Sequence, residues 1–257
     1  MRRIRNTIAC FLLFIATPAL PEVIPIEPPT RGFFGSQPTM TMPYQRSDAE
    51  LTIVVIMGHP GRFGLKVGDF SVKNTTAQMM RDFVYRTRVK ANVVILDSPH
   101  PLQTIGARST SDHLRRIESV VKFYSDKFQL PVWLLGHSMG SISVSEYLNR
   151  SSENRSSLAG AILSAGMNET RITEDWNTPA LVIHHEQDGC EGTTFSSAKR
   201  YFGRIKERNS KVTELATVRG GFSLGGPPCS TGYHMYQGAY EEVFKLVEDF
   251  IERQKQK

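Results

Sequence analysis

Five short runs in this chain are apolar almost throughout and rich in β-branched residues: LTIVVIM (51–57), ANVVILDS (91–98), PVWLLGH (131–137), LAGAILSAG (158–166) and PALVIHH (179–185). A run with no polar side to turn towards water must be buried on both faces, which is the situation of a strand inside a parallel sheet. KVTELATV (211–218) reads as a sixth strand. Between the runs lie segments with helical periodicity: NTTAQMMRDFVYRTR (74–88), STSDHLRRIESVVKFYSDKF (109–128), GSISVSEYLNR (140–150), SSAKRYFGRIKER (196–208) and AYEEVFKLVEDFIERQ (239–254). Asn74 or Thr75 is the expected cap of the first helix. Strand and helix in alternation predict an α/β domain with a mostly parallel central sheet and helices on both faces. Ligands of such sheets collect at the carboxyl ends of the strands.

The strand pattern begins near residue 50, and what precedes it differs in kind. MRRIRNTIACFLLFIATPALPE opens with a basic cluster, continues with an apolar stretch from Ile8 to Ala16, and reaches Thr17-Pro18-Ala19. That is the layout of a secretory signal peptide over residues 1–19, cleaved after Ala19. The apolar stretch is too short to span a bilayer, so no stable membrane insertion is expected after cleavage. Residues 20–47 are rich in proline and turn formers and read as an extended arm on the domain surface. Residues 48–257 are then long enough to bury a full core as one medium-sized domain. The net charge of +6 includes Arg2, Arg3 and Arg5 of the leader, so the mature chain carries +3. With no basic stripe interleaved with aromatics, nucleic acid is not an expected partner.

The strand 131–137 runs directly into Gly136-His137-Ser138-Met139-Gly140, and a helix pattern follows. G-x-S-x-G alone is common by chance. Between a buried strand and a helix it acquires a mechanism. The two glycines permit a cramped turn that lifts the Ser138 hydroxyl above the sheet edge. The following helix directs its positive end at the same point.

A serine hydroxyl needs a base and a group to orient that base. Both follow in chain order. PALVIHH is followed at once by EQDGC, which puts Asp188 at a strand's carboxyl end, level with Ser138; Glu186 is its competitor, nearer the strand. KVTELATV is followed by the glycine-rich loop RGGFSLGGPPCSTGYHMYQG, where His234 precedes the last helix. The expected roles are nucleophile for Ser138, base for His234 and orienting acid for Asp188. Oxyanion donors are expected from the backbone N–H of Met139 and from the loop Met57-Gly58-His59-Pro60-Gly61. Pro60 has no N–H, which leaves the main chain of His59.

Loss of Cys10 with the leader leaves two cysteines, an even number in an exported chain. Cys190 is two residues after Asp188 and Cys229 five before His234. A disulfide between them would tie the acid loop to the histidine loop; two buried free thiols are the alternative.

On these residues the chain resembles the α/β-hydrolase superfamily, over about residues 50 to 255. Ser138 matches the nucleophile, Asp188 the acid after the penultimate strand and His234 the base before the last helix. The resemblance implies an α/β-hydrolase fold and hydrolysis of esters, thioesters or amides through an acyl-enzyme, with no metal or other cofactor. Many members carry His-Gly after the first strand of the domain; this chain has Met57-Gly58, so the support of its oxyanion hole is expected to differ. The paired cysteines also look like those of a group of exported bacterial hydrolases. Twelve residues separate Gly166 from Pro179. That is too short for a helical lid domain, so the site is expected to be open.

The remaining candidates have plainer readings. His184 and His185 point to opposite faces of one strand and cannot chelate one metal; they are expected to pack or to orient loops. His137 is expected beneath the elbow, Asp97 in a turn or cap, and Trp133 in the core. Phe63 and Trp176 are candidates for an acyl pocket, and His100 for the site rim. The expected function is a secreted or periplasmic carboxylesterase acting on small-molecule or accessible polymeric esters. A serine peptidase or amidase on the same machinery is the alternative, and a non-catalytic binding protein a more distant one.

Overall fold

The computed structural model describes residues 21–28, 37–69, 75–209 and 213–255. The signal peptide assigned to residues 1–19 and the candidate cap Asn74 lie outside them.

The apolar runs form the strands β3 (Leu51–Ile56), β4 (Ala91–Asp97), β5 (Val132–His137), β6 (Gly160–Ser164) and β7 (Ala180–His185). Every residue in these five strands is buried, as their composition requires. β8 (Thr213–Val218) is half-buried, in keeping with its alternating sequence and edge position. The eight-stranded sheet has the order β1-β2-β4-β3-β5-β6-β7-β8, parallel from β4 to β8.

Alternate residues of each strand serve different helices. Ile53 and Val55 pack with α1 (Thr75–Arg86) and α7 (Tyr240–Lys255) through Phe83, Phe244 and Phe250. Val54 and Ile56 face the other way, towards α3 (Ser111–Phe128), α4 (Gly140–Arg150) and α6 (Phe195–Arg208), through Ile117, Val144 and Tyr201. Two helical layers on one sheet bury both faces, which explains why the strands carry no polar face. Trp133 lies in the α1/α7 layer at 5.9 Å from the Phe250 ring.

The segment read as a surface arm contributes two antiparallel strands. β2 (Thr39–Tyr44) pairs with β4, and β1 (Ile24–Ile26) pairs with β2. Proline density concealed them in the sequence. Pro25 lies in the edge strand, and Pro43 lies beyond the three β2 residues that β1 covers. A strand tolerates proline at positions where no ladder N–H is needed. Two smaller helices also escaped the periodicity, α2 (Ile105–Arg108) and α5 (Ser152–Ser156). Residues 165–179, between β6 and β7, contain no helix. No described helix is long and apolar enough to cross a membrane.

Candidate active site

The turn between β5 and α4 is strained in the way its glycines predict. Ser138 has φ 53°, in the left-handed region. A side chain there costs of order 1 kcal/mol or more and persists only where the surroundings enforce it. The enforcement is visible. Ser138 N donates to Ser164 O at 2.8 Å, and Ser138 O accepts from Ser141 N at 3.0 Å and Ser141 Oγ at 2.7 Å. A Cβ on Gly136 would lie 2.4 Å from Gly140 O, and one on Gly140 would lie 1.9 Å from Ile56 O. The two glycines of the motif are therefore demanded by sterics: α4 approaches the strands too closely for a side chain.

Asp188 lies just beyond β7 and is buried. Its Oδ2 accepts hydrogen bonds from His234 Nδ1 at 2.9 Å, Thr193 Oγ1 at 3.0 Å and His184 Nε2 at 3.1 Å. Its Oδ1 accepts from Cys190 N at 2.9 Å. Burial alone would raise this carboxyl. Hydrogen bonds from His184 and His234 overcome that and hold it well below the ordinary carboxylate range. Glu186, the competing acid, is exposed and pairs with Arg219.

His234 sits on a short turn, Gly232–Met235, ahead of α7 and is 1% exposed. With Nδ1 committed to Asp188, Nε2 is the nitrogen free for proton transfer. Ser138 and His234 line the same cleft. Among the described residues no hydrogen bond joins Ser138 Oγ to His234, and unliganded sites commonly tighten this contact only with substrate. Tyr236, two residues on, anchors the histidine loop: its hydroxyl donates to Ile183 O at 3.0 Å and meets Ser164 Oγ at 3.0 Å. His137 lies beneath the elbow, as expected, with Nδ1 at 3.1 Å from Ser164 Oγ and its ring 5.3 Å from that of His234. Burial, reinforced by His234, pushes His137 down to about 3, so it is neutral.

The two cysteines form a disulfide, Cys190–Cys229. It joins the acid loop to the histidine loop and lines the cleft.

The loop after β3 passes directly over the serine. A Cβ on Gly58 would lie 2.7 Å from Ser138 Cβ. Asp97 fixes this loop from the β4 side: its carboxylate accepts from the N–H of Phe63 at 2.5 Å and Leu65 at 2.7 Å. The loop's carbonyls are also engaged, Pro60 O by Leu102 N at 2.8 Å and Gly61 O by Ser98 N at 3.4 Å. Among the described residues, neither the His59 N–H nor the Met139 N–H has a partner, and both residues line the cleft. They are the available donors for an anion beside Ser138.

The cleft has a volume of about 440 Å³. Met139, Met167, Met235, Phe63 and the disulfide supply its apolar lining, with Arg62 as the charged group. Phe63 thus lies where an acyl-pocket residue is expected. Trp176 does not: it is 2% exposed and packed in the layer of α3, α4 and α6. An aromatic residue in a loop read as a pocket wall proved to be what anchors that loop to the core. Among the described residues no cluster of three or more histidine, cysteine or carboxylate side chains is disposed to hold a metal.

Three contributors carried little or no sequence signal. His184 stands four residues before Asp188, where the strand end brings it level with the acid; its position on β7 was the available clue. Thr193 has none, because the turn after Cys190 folds it back onto Asp188. Arg108 lies 30 residues before the serine and reaches the β3 loop only through the tertiary fold.

Parallel strands, the strained serine turn and an acid and histidine on the last two strand-end loops define a molecule with the α/β-hydrolase fold. No protein-family profile matches the chain, and no curated protein sequence matches it. Solved structures do. A lidless α/β serine hydrolase from Xanthomonas campestris is similar at TM-score 0.59 and 12% identity, over 92% of this chain and 96% of that one. An esterase from Pyrococcus furiosus is similar at TM-score 0.62 and 12% identity, over 98% and 96%. A dienelactone hydrolase from Anabaena variabilis is similar at TM-score 0.62 and 11% identity, over 91% and 99%.

Proposed function

We propose that this chain is an exported serine hydrolase that cleaves carboxylic esters through an acyl-enzyme on Ser138. The observation that carries the reading is the Asp188–His234 hydrogen bond of 2.9 Å, with Ser138 held at φ 53° in the same cleft. Asp188 accepts the hydrogen bond of His234 Nδ1–H, leaving Nε2 as the base. Nε2 takes the Ser138 proton as Oγ bonds to the ester carbon. The carbonyl oxygen becomes an oxyanion facing the Met139 and His59 N–H groups. As the C–O bond to the alcohol breaks, His234 Nε2–H delivers its proton to the departing oxygen. Water then repeats the sequence, releasing the acid and restoring Ser138.

The apolar, methionine-rich cleft supports acyl groups of modest size and varied shape, because the thioether side chain adapts to irregular partners. The connection between β6 and β7 carries no lid, which favours small or accessible polymeric esters over substrates that require interfacial activation. The disulfide supports an oxidising compartment, in keeping with a signal peptide over residues 1–19; after its removal, 20–47 adds β1 and β2 to the sheet of the domain over 48–257.

The test uses the purified mature protein, a fluorophosphonate probe, p-nitrophenyl esters of increasing acyl length and aminoacyl anilides. Labelling and ester turnover that vanish in Ser138→Ala are expected. Labelling that persists in that variant would overturn the reading. Anilide cleavage with inert esters would turn it into a peptidase.

A further inference from the structure

Arg108 is fully buried, yet no carboxylate pairs with it among the described residues. Burial lowers its guanidinium to about 10, so it remains a cation at neutral pH. A buried charge without a counter-ion is expensive and must be satisfied by hydrogen bonds. Four are present. Nε donates to Leu102 O at 3.1 Å, Nη1 to Met57 O at 3.0 Å and to Ser143 Oγ at 3.2 Å, and Nη2 to Gly58 O at 2.8 Å. Ser143, on α4, is itself held by His113 Nε2 at 2.9 Å. The cation therefore spends two of its four hydrogen bonds on successive carbonyls of the loop that crosses Ser138.

We propose that Arg108 is the positioning residue of the oxyanion hole, acting through the peptide unit between Gly58 and His59. This rests on the hydrolase reading above. The Gly58–His59 bond is trans, so its C=O and N–H point in opposite directions within one rigid plane. Pulling the Gly58 oxygen towards Arg108 directs the His59 N–H away from the guanidinium. That N–H belongs to a cleft-lining residue and has no partner among the described residues. The bond to Met57 O fixes the preceding plane, so the loop cannot swivel about Gly58. A cation on the carbonyl also draws electron density from the amide, making its N–H a stronger donor. Gly61 leaves room for this arrangement: a Cβ there would lie 3.0 Å from Arg108 Nη2.

The test compares the mature wild type with Arg108→Gln, Arg108→Lys and Ser143→Ala. It uses p-nitrophenyl butyrate turnover, with phenylboronic acid as a tetrahedral adduct and butyrate as a planar ligand. In folded Arg108→Gln, kcat falls about 100-fold, the order of one lost oxyanion donor, while KM stays within about twofold. Phenylboronate affinity falls in parallel and butyrate inhibition does not move, a split that general loosening of the fold would not produce. Arg108→Lys, which keeps the charge, recovers about tenfold of the loss. Folded Arg108→Gln with kcat within about threefold of wild type would overturn the proposal. If neither Arg108 variant folds, Ser143→Ala decides: a kcat about fivefold lower at unchanged KM supports the role, and unchanged kcat overturns it. A wild type that neither takes up a fluorophosphonate nor turns over any ester would instead overturn the hydrolase reading, and this inference with it.

Discussion

His184 and His234 share one carboxylate oxygen: His234 Nδ1 lies 2.9 Å and His184 Nε2 3.1 Å from Asp188 Oδ2. His184 Nε2 also lies 2.5 Å from Thr193 O. Both of its neighbours are acceptors, so Nε2 carries the proton and His184 acts as the donor. The acid is thus clamped from the sheet side by His184, from its own turn by Cys190 N and Thr193, and presents its remaining contact to His234.

Asp188→Asn should remove the acceptor that sets the His234 tautomer. With the fold intact, ester turnover should fall by about 10³- to 10⁴-fold. His184→Gln keeps a donor in the region but loses the rigid ring; a loss of about tenfold is expected. Steady-state kinetics of the two folded variants, compared with wild type, check the order. Equal activity of Asp188→Asn and wild type would remove Asp188 from its role.

The glycine contacts separate folding from function. Gly140→Ala places a methyl 1.9 Å from the Ile56 carbonyl oxygen, and backbone on both sides leaves no room to yield. Destabilisation of more than about 3 kcal/mol is expected, read as a drop in the urea midpoint or a failure to obtain folded protein. Gly58→Ala meets the Ser138 side chain instead, at 2.7 Å from Cβ. That variant should fold, with fluorophosphonate labelling slowed at least about tenfold.

Stability should fall on mild acidification. His113 and His137 are buried and pushed down to about 3, whereas unfolded histidine titrates near about 6.5. Both are depressed, so their contribution is complete above about 6.5 and drains away as the pH falls towards about 3, because the unfolded chain binds the protons that the folded one refuses. The slope is about 1.4 kcal/mol per pH unit for each histidine. Asp188 adds to the loss in the same direction, but only below about pH 4, where an ordinary carboxylate starts to take up a proton. Urea unfolding at pH 7, 6 and 5 tests this; a flat profile would mean that neither histidine stays neutral, and His113→Gln should make the slope shallower.

Replacing both Cys190 and Cys229 by alanine opens a loop closed across a separation of 39 residues. The chain-entropy argument gives a loss of about 4 kcal/mol. Chemical denaturation of the double variant against the oxidised wild type measures it. A change below about 1 kcal/mol would show that the two loops are held by their other contacts, chiefly Tyr236 on Ile183 and Asp188 on His234.

Much of this was legible because burial on two faces leaves an unambiguous mark. β3, β4, β5 and β7 announce themselves as apolar runs, and α4 begins at Gly140, where its pattern begins. Asp188 and His234 were legible because α/β topology sends strand-end loops to one edge, so chain order stands in for proximity. The less legible parts depend on what the chain meets rather than on what it is. β2 carries Pro43, which reads as a breaker until the sheet edge is known. Arg108 carries no sequence signal, because a lone charged side chain has no periodicity. Trp176 reads as a pocket wall because a loop aromatic can face either way. Asp97 was legible as a turn residue but not as the clamp on two amides of the loop over Ser138.

The three-residue strand β1 has a consequence for how the chain behaves in company. Without β1 and β2, β4 would end the sheet with a fully apolar, unpaired backbone edge, a template for stacking one molecule on another. β2 occupies that edge, and β1 then covers part of β2 with a stub that contains Pro25, which has no N–H to offer. The far side of the sheet ends in β8, where Glu214 is engaged by Arg253. Protection against edge pairing is thus built in at the β1 margin. The proline-bearing strands β1 and β2 are there a terminator that stops the sheet from recruiting its neighbours.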